Sequence, residues 1–438
     1  MKKSFGKKLG LAMLTAVTAI GLAACGNSSS SSDSNKTSDG KQEITFWTFN
    51  DAHAKFWKEA ATSWNKTHKQ KIKLKANVLP FDQENQKLTV ALNSGTGAPD
   101  MVDVELGQGA IQLKSDNPPY YPLNSALKPY MDVLVKSRLD NFKKNGNYYG
   151  LDYHVGTTVT YYNTEILEKA GVNYKDIKTW DDYVAAGKQV KAKTGKWMNE
   201  VESSALFQMD AMIAQQKSDY IKNNKATLTN EATVNALTEL QNWIYKDKIA
   251  RVAVGNSLDN DQFFAEMNKG NVASVTMPSW YMERMADHMP KLKGKIAIAP
   301  MPVFKDGDYR SAGGGGTGTM VTNQAANKKL TAKFVVWGKA SKKQAVKIWE
   351  DLGFDPVRYD VWKEPVMKED NKYTQYFGKD IFDTFVQLED QVTSTTKTAK
   401  ISPTLNDYLL KNTLPSTILK DKMTAKSALE KANEALNK

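Results

Sequence analysis

The stretch Asn147-Tyr-Tyr-Gly-Leu-Asp-Tyr-His-Val-Gly-Thr-Thr-Val-Thr-Tyr-Tyr-Asn163 decides how this chain folds. It is too long and too rich in β-formers for one ordinary strand, and Gly150 and Gly156 interrupt it. A strand that leaves one sheet and enters another has this form, which places a crossing between two lobes at Asp152 to Gly156. Upstream, Glu43 to Phe49 reads as a buried strand. A helix follows with Phe56, Trp57, Ala60 and Trp64 on one face and Asp51 as its N-cap. Lys71 to Val78 alternates lysine with apolar residues, as a half-exposed strand does. Asp82 can cap the next helix, which Gly95 ends, and Met101 to Leu106 is a third strand. Strands alternating with helices argue for a mostly parallel sheet covered on both faces.

Downstream, Thr164 is read as an N-cap and Thr179-Trp-Asp-Asp182 as a capping box. Helices are expected over Ala205 to Gln215, Glu231 to Lys246 and Gln262 to Asn268, with strands at Val272 to Met277 and Lys295 to Pro300. The run Gly313 to Gly316 breaks the pattern before Thr319 to Thr322 resumes a strand, and marks a second crossing. Beyond Lys328 the chain reads as mainly helical, ending in an amphipathic helix from Thr424.

At 438 residues with 41% hydrophobic content, the chain is long enough for two lobes and apolar enough for a sizeable core. Its leading segment has Lys2, Lys3, Lys7 and Lys8, then the apolar run Leu11 to Ile20, then Leu22-Ala23-Ala24-Cys25. That order resembles a secretory signal closed by a bacterial lipobox, with 1–24 removed and Cys25 carrying lipid. The apolar run is too short to span a bilayer. Residues 25–42, rich in Ser, Asn and Asp, read as a flexible tether. Cys25 is the only cysteine, which rules out an internal disulfide and a thiolate metal site. The net charge of +12 includes the four leading lysines. The rest are scattered over solvated faces such as Lys71, Lys73 and Lys75, so no nucleic-acid partner is expected. Ten Trp, eighteen Tyr and fifteen Phe supply rings that can stack on sugar faces, though most belong to the core.

Three short matches mimic an acyl-enzyme: Ser63-Trp-Asn-Lys66, Ser115-Asp-Asn117 and Lys193-Thr-Gly195. Their contexts argue against that chemistry, because Ser63 comes late in its helix and Thr194-Gly195 ends another. Gly313-Gly-Gly-Gly-Thr-Gly318 has no Lys-Ser/Thr pair to complete a phosphate loop, and better suits a backbone passing close to a ligand, or a hinge. His53, His68, His154 and His288 show no ligand spacing, so neither a metal nor a cofactor is expected.

Ile44-Thr-Phe-Trp-Thr-Phe-Asn50, Ser94-Gly-Thr-Gly-Ala-Pro-Asp100, Tyr161-Tyr-Asn163, Lys178-Thr-Trp-Asp-Asp-Tyr183 and Met267-Asn-Lys-Gly270 resemble segments of the maltose-binding-like extracellular solute-binding family. These are carbohydrate-binding lipoproteins of ABC importers. His53 and Gly353 to Trp362 make the chain most similar to Gram-positive members that bind arabinose or arabino-oligosaccharides. The resemblance implies a type II periplasmic-binding-protein-like α/β fold, with two lobes around a ligand cleft joined by hinge crossovers. It places one lobe at 43–153 and 314–345 and the other at 157–308 and 350–438, with hinges near 152–156, 309–314 and 345–350. It also implies a monomer, held to the outer face of the cytoplasmic membrane by lipid, that delivers sugar to a permease and is not an enzyme. The alternative is an exported hydrolase of glycan or peptidoglycan.

Ligands of such sheets bind beyond strand carboxyl ends. That rule selects Asn50, Asp51 and His53 after the first strand, Asp82 after the second and Glu105 at the third. Trp280 and Tyr281 follow the second-lobe strand, and the family's stacking Trp matches Trp280. Glu202 and Phe207 occupy positions where the family often has a polar and an aromatic contact, His154 lies in the crossing, and Gly315 belongs to the glycine run. Trp47 also suits plain core, Asp51 and Asp82 also suit helix caps, and His154 also suits a satisfied interior histidine. Where maltodextrin binders carry a hinge Glu, this chain has Gly156.

Overall fold

The computed structural model describes residues 36–438; the signal segment and lipobox lie outside them. Five strands form the first sheet: β1 (Gln42–Thr48), β2 (Ile72–Val78), β3 (Met101–Glu105), β4 (Gly150–Asp152) and β8 (Thr317–Val321), in the order β2-β1-β3-β8-β4. The second sheet has three, β5 (Thr158–Asn163), β6 (Ser274–Pro278) and β7 (Ile296–Ala299), with β5 in the centre. The run quoted at the start therefore supplies β4 to one sheet and β5 to the other, with 153–157 between them.

The expectation of a mostly parallel sheet needs correction. β1 is parallel to β2 and β3, but β8 runs antiparallel to both β3 and β4. β8 follows the second sheet in the chain and enters at the carboxyl edge, pairing its first residue, Thr317, with Glu105 at the end of β3. It can only run the opposite way. The second sheet is antiparallel throughout.

Helices cover these sheets. In chain order they include α1 (Asp51–Thr67), α2 (Phe81–Ser94), α3 (Leu106–Gln112), α4 (Trp180–Thr194), α5 (Phe207–Gln215), α6 (Glu231–Tyr245) and α7 (Tyr281–His288), then α8 (Lys328–Ala340), α9 (Lys342–Leu352), α10 (Ser402–Tyr408) and α11 (Ala425–Asn437). Phe56, Trp57, Ala60 and Trp64 of α1 are buried with Ile44 and Phe46 of β1. α4 starts at the expected capping box and ends at left-handed Gly195, so Lys193-Thr-Gly195 is a helix terminus. Ser63 is in the closing turns of α1.

Three expected caps are displaced. Asn50, not Asp51, caps α1 by accepting from the Ala52 N–H, and Asn163 takes the place expected of Thr164. α2 starts after Pro80 with no side-chain cap, leaving Asp82 exposed in the first turn. In the first two cases an Asn one residue earlier has the extended backbone that a cap requires.

The third hinge, expected at 345–350, falls inside the unbroken helix α9. Ala345 and Trp349 of that helix pack with Met277 and Tyr281, whereas Ile348 and Leu352 pack with Phe46 and Trp57. These four residues share one face of α9, so adjacent stripes of an unbroken helix serve the two cores. The extended chain comes later, at 353–358, where Pro356 bridges to His154 and the Val155 N–H donates to the Asp355 carbonyl.

Candidate functional site

At the carboxyl end of β3 the chain turns directly into α3. Glu105 makes that turn, its carboxylate accepting from the Gly107 N–H at 2.7 Å and so capping α3. The turn forms one wall of a cavity of about 610 Å³, within the range usual for small-molecule sites. Burial raises the Glu105 pKa, against hydrogen bonds from Gly107 and Gln108 and the charge of Lys397.

Lys397 and Asp210 also line the cavity, held 2.6 Å apart although their positions are far apart in the chain. The Lys397 ammonium also donates to the Tyr220 hydroxyl at 2.5 Å. Burial opposes its charge, but Asp210 and Tyr220 outweigh this and its pKa is raised.

The glycine run 313–315 supplies the floor. Arg138, which is 2 % exposed, donates to the Gly315 carbonyl at 2.8 Å and sits 3.1 Å from Asp152. It thereby clasps both crossings. Gly315 has φ +69, and a Cβ there would lie 2.7 Å from the Trp280 indole nitrogen. Glycine is required on both counts. Nearby, Asp355 accepts from the Gly156 and Thr157 N–H groups at 3.1 and 2.8 Å and from the Ser279 hydroxyl. One buried carboxylate thus ties segment 353–358 to the first crossing and to the turn that bears Trp280.

The aromatic edge of the site is a ring pair. Phe207 lines the cavity at the start of α5, and its ring meets Trp280 edge-on, centroids 5.5 Å apart. The Arg284 guanidinium also lies over the Trp280 ring, 5.9 Å from its centroid. Glu202, 4 % exposed, faces the backbone N–H groups of Phe207 and Gln208, and burial pushes its pKa up to about 7. It secures the backbone that carries Phe207.

Of the residues selected from sequence, Glu105, Phe207 and Gly315 line this cavity, Trp280 flanks it and Glu202 lies behind it. The others lie elsewhere. Trp47 is in a separate groove on the outer face of α2, with the Lys87 ammonium 4.5 Å from its ring. Asn50 is a helix cap and Asp51 an exposed residue of α1. His53 is buried, 2.9 Å from Asp103 and stacked on Tyr153. His154 is buried against Phe354, and burial lowers its pKa well below the usual histidine range. Tyr281 is fully buried and donates to the Leu258 carbonyl.

Sequence reasoning did not select Phe81, Arg138, Asn141, Asp210 or Lys397, which also line the cavity. The strand-end rule reached the right loop after β2, but favoured Asp82 over the apolar Phe81 beside it. No local pattern marks Asp210 or Lys397, because their pairing is made only by the tertiary fold.

The chain matches the family model for bacterial extracellular solute-binding proteins over residues 50–345, and it belongs to that family. Members are the solute-binding components of ABC importers, so this chain is a binding protein and not an enzyme. It is similar to the arabinooligosaccharide-binding protein of Halalkalibacterium halodurans, with 40% identity over 400 residues, 91% of this chain and 89% of that one. The protein of the same name from Bacillus subtilis is 42% identical over 409 residues, 92% and 93% of the two chains. Among solved structures, the GacH receptor of Streptomyces glaucescens superposes with TM-score 0.73 at 20% identity, over 90% of this chain and 97% of that one. The sugar-binding protein MalE of Xanthomonas citri gives 0.75 at 16% identity, over 90% and 96%. These likenesses identify the fold as the type II periplasmic-binding-protein architecture. Among the described residues no helix is long and apolar enough to cross a membrane.

Proposed function

We propose that this chain captures arabino-oligosaccharides by closing two lobes on them and delivers them to a membrane permease. The observation that carries the reading is the Phe207–Trp280 ring pair beside a cavity lined by the charged groups Glu105 at the end of β3, Asp210 of α5 and Lys397. Rings supply contact area, while carboxylates and cations fix hydroxyl groups through hydrogen bonds. The relatives at 40% and 42% identity, each matched over most of its length, support the choice of sugar.

One lobe is 43–153 with 314–345 and the other is 157–308 with 350–438, modified by the position of α9 across both cores. Closure is a hinge motion at 152–156, 309–314 and 353–358, driven by contacts made only when both walls touch the sugar. The mature chain acts as a monomer tethered outside the cytoplasmic membrane by lipid on Cys25. The charged, apolar and small-residue order before that cysteine supports this, and membrane fractionation checks it.

Thermal-shift measurements against arabino-oligosaccharides and maltodextrins test the sugar, since a ligand of the folded state raises its apparent stability. The arabino series should raise the midpoint, and Trp280→Ala should weaken that binding by about 2–4 kcal/mol. A response to maltodextrins alone would sink the arabinose reading. Unchanged affinity in the variant would remove Trp280 from the site.

A further inference from the structure

Only five large apolar side chains are exposed among the described residues: Phe81, Val90, Ile111, Tyr359 and Leu419. Two of them, Phe81 at 40 % and Ile111 at 42 %, stand on the rim of the same cavity. They come from different elements, the first residue of α2 and the next-to-last residue of α3. Phe81 is not a loose surface ring. Its edge rests on Phe49, centroids 5.1 Å apart at 89°, so its orientation is set before anything binds. Pro403, Asn406 and Leu410 line the same cavity from the segment that contains α10.

The sheet sets the spacing. Phe81 follows β2, the edge strand, while Gly315 and the adjoining Trp280 lie where β8 begins. Because Thr317 pairs with Glu105, both places are on the carboxyl edge of the parallel strands. From β2 through β1 and β3 to β8 there are three inter-strand spacings, roughly 14 Å. No single furanose or pyranose ring spans that.

We infer that Phe81, flanked by Ile111, is a second sugar platform that reads chain length. A sugar seated on the Phe207–Trp280 pair reaches Phe81 only if further units extend it along the sheet edge. Each unit that arrives covers apolar surface otherwise left in water. The inference rests on the proposed sugar-binding function and adds a specificity-determining residue to it. Its position at the rim, away from the core, lets Phe81 be changed without disturbing the fold.

Isothermal titration calorimetry with arabino-oligosaccharides from the disaccharide upward tests this, using the mature chain, Phe81→Ala, Phe81→Trp and Trp280→Ala. Affinity of the unaltered chain should rise with sugar length and then level off. Phe81→Ala should abolish the rise, weakening the longest sugars about tenfold while leaving the disaccharide within about twofold, and Phe81→Trp should preserve it. Affinity independent of length in the unaltered chain would overturn the inference. So would a Phe81→Ala loss that is absent or equal at every length, even with Trp280→Ala weakening all of them, a result that leaves the proposed function standing. Failure of every sugar to bind the unaltered chain would remove the proposed function and the inference with it.

Discussion

Asp103 and Glu105 are two residues apart on β3, on the same face of the strand, yet the fold treats them differently. Asp103 is fully buried and accepts from Thr48, Tyr153 and Thr319 at 2.8, 2.9 and 2.6 Å, with His53 2.9 Å away. Burial opposes its charge, but His53, Lys339 and Thr319 hold its pKa below the ordinary value. Trp57 joins the group by donating to the Tyr153 hydroxyl at 2.6 Å, and Lys339 lies over the Tyr153 ring while donating to the Leu151 carbonyl at 2.7 Å. Every valence of Asp103 is used to join β1, β3, β8 and α1. The Glu105 carboxylate accepts from its own helix, from the Gly107 N–H at 2.7 Å and from Gln108, and otherwise faces the cavity. One repeat of the pleat, from mid-strand to strand end, separates a carboxylate consumed by the fold from one that faces the cavity.

The largest effect is expected from the consumed one. Asp103→Ala strands His53, Tyr153, Thr48 and Thr319 without their acceptor in a dry interior, at a cost of about 3–5 kcal/mol. Denaturant titration should show an earlier midpoint, and a loss under about 1 kcal/mol would break the contrast between the two carboxylates. Glu84 sharpens it from a third side. It is 0 % exposed on α2 with neither oxygen hydrogen-bonded, and burial, then the charge of Asp103, pushes its pKa up to about 8. The folded chain therefore holds a proton that the unfolded chain releases near the ordinary glutamate value. The stability Glu84 contributes is full below that value and is lost as pH rises to and through about 8. Glu84→Gln keeps the neutral shape and should flatten this decline, leaving the variant more stable by about 2 kcal/mol at high pH. Parallel stability–pH curves for the two proteins would show that Glu84 is ionised in the folded state.

Much of the architecture was legible because it rests on local physics. The two-sheet run from Asn147 to Asn163 announced itself through β-rich composition broken by glycine, and α4 through its Thr179–Asp182 capping box. What stayed hidden depends on chain direction and distance. The antiparallel entry of β8 follows from where the preceding crossing delivers the chain, which no periodicity records. The helix at 345–350 was equally hidden, since an amphipathic helix serving two cores reads like one serving a single core. At the site, the strand-end rule selected Glu105, which lines the cavity, and Trp280, which flanks it, but selected His53 and Asp82 and passed over Phe81 on the rim. His53 and Phe81 both lie near strand ends; tertiary packing turned the histidine inward to Asp103 and left the phenyl ring outward on the rim.

The smallest effect tests the other half of the comparison. Glu105→Gln retains a carbonyl oxygen that can accept from the Gly107 N–H, so the cap on α3 survives and the unfolding midpoint should move by less than about 1 kcal/mol. What the substitution removes is charge facing the cavity. A carboxylate binds a sugar hydroxyl more strongly than an amide does, because charge-assisted hydrogen bonds exceed neutral ones. Affinity for the sugar should fall by about 1–2 kcal/mol, read by calorimetry at constant fold stability. The comparison then has a reciprocal form: the change at 103 lowers stability while each folded molecule still binds, and the change at 105 lowers binding while the fold stands. A Glu105→Gln protein with full affinity would mean that Glu105, like Asp103, serves only the fold, with ligand recognition on that wall passing to Gln108 and Phe81.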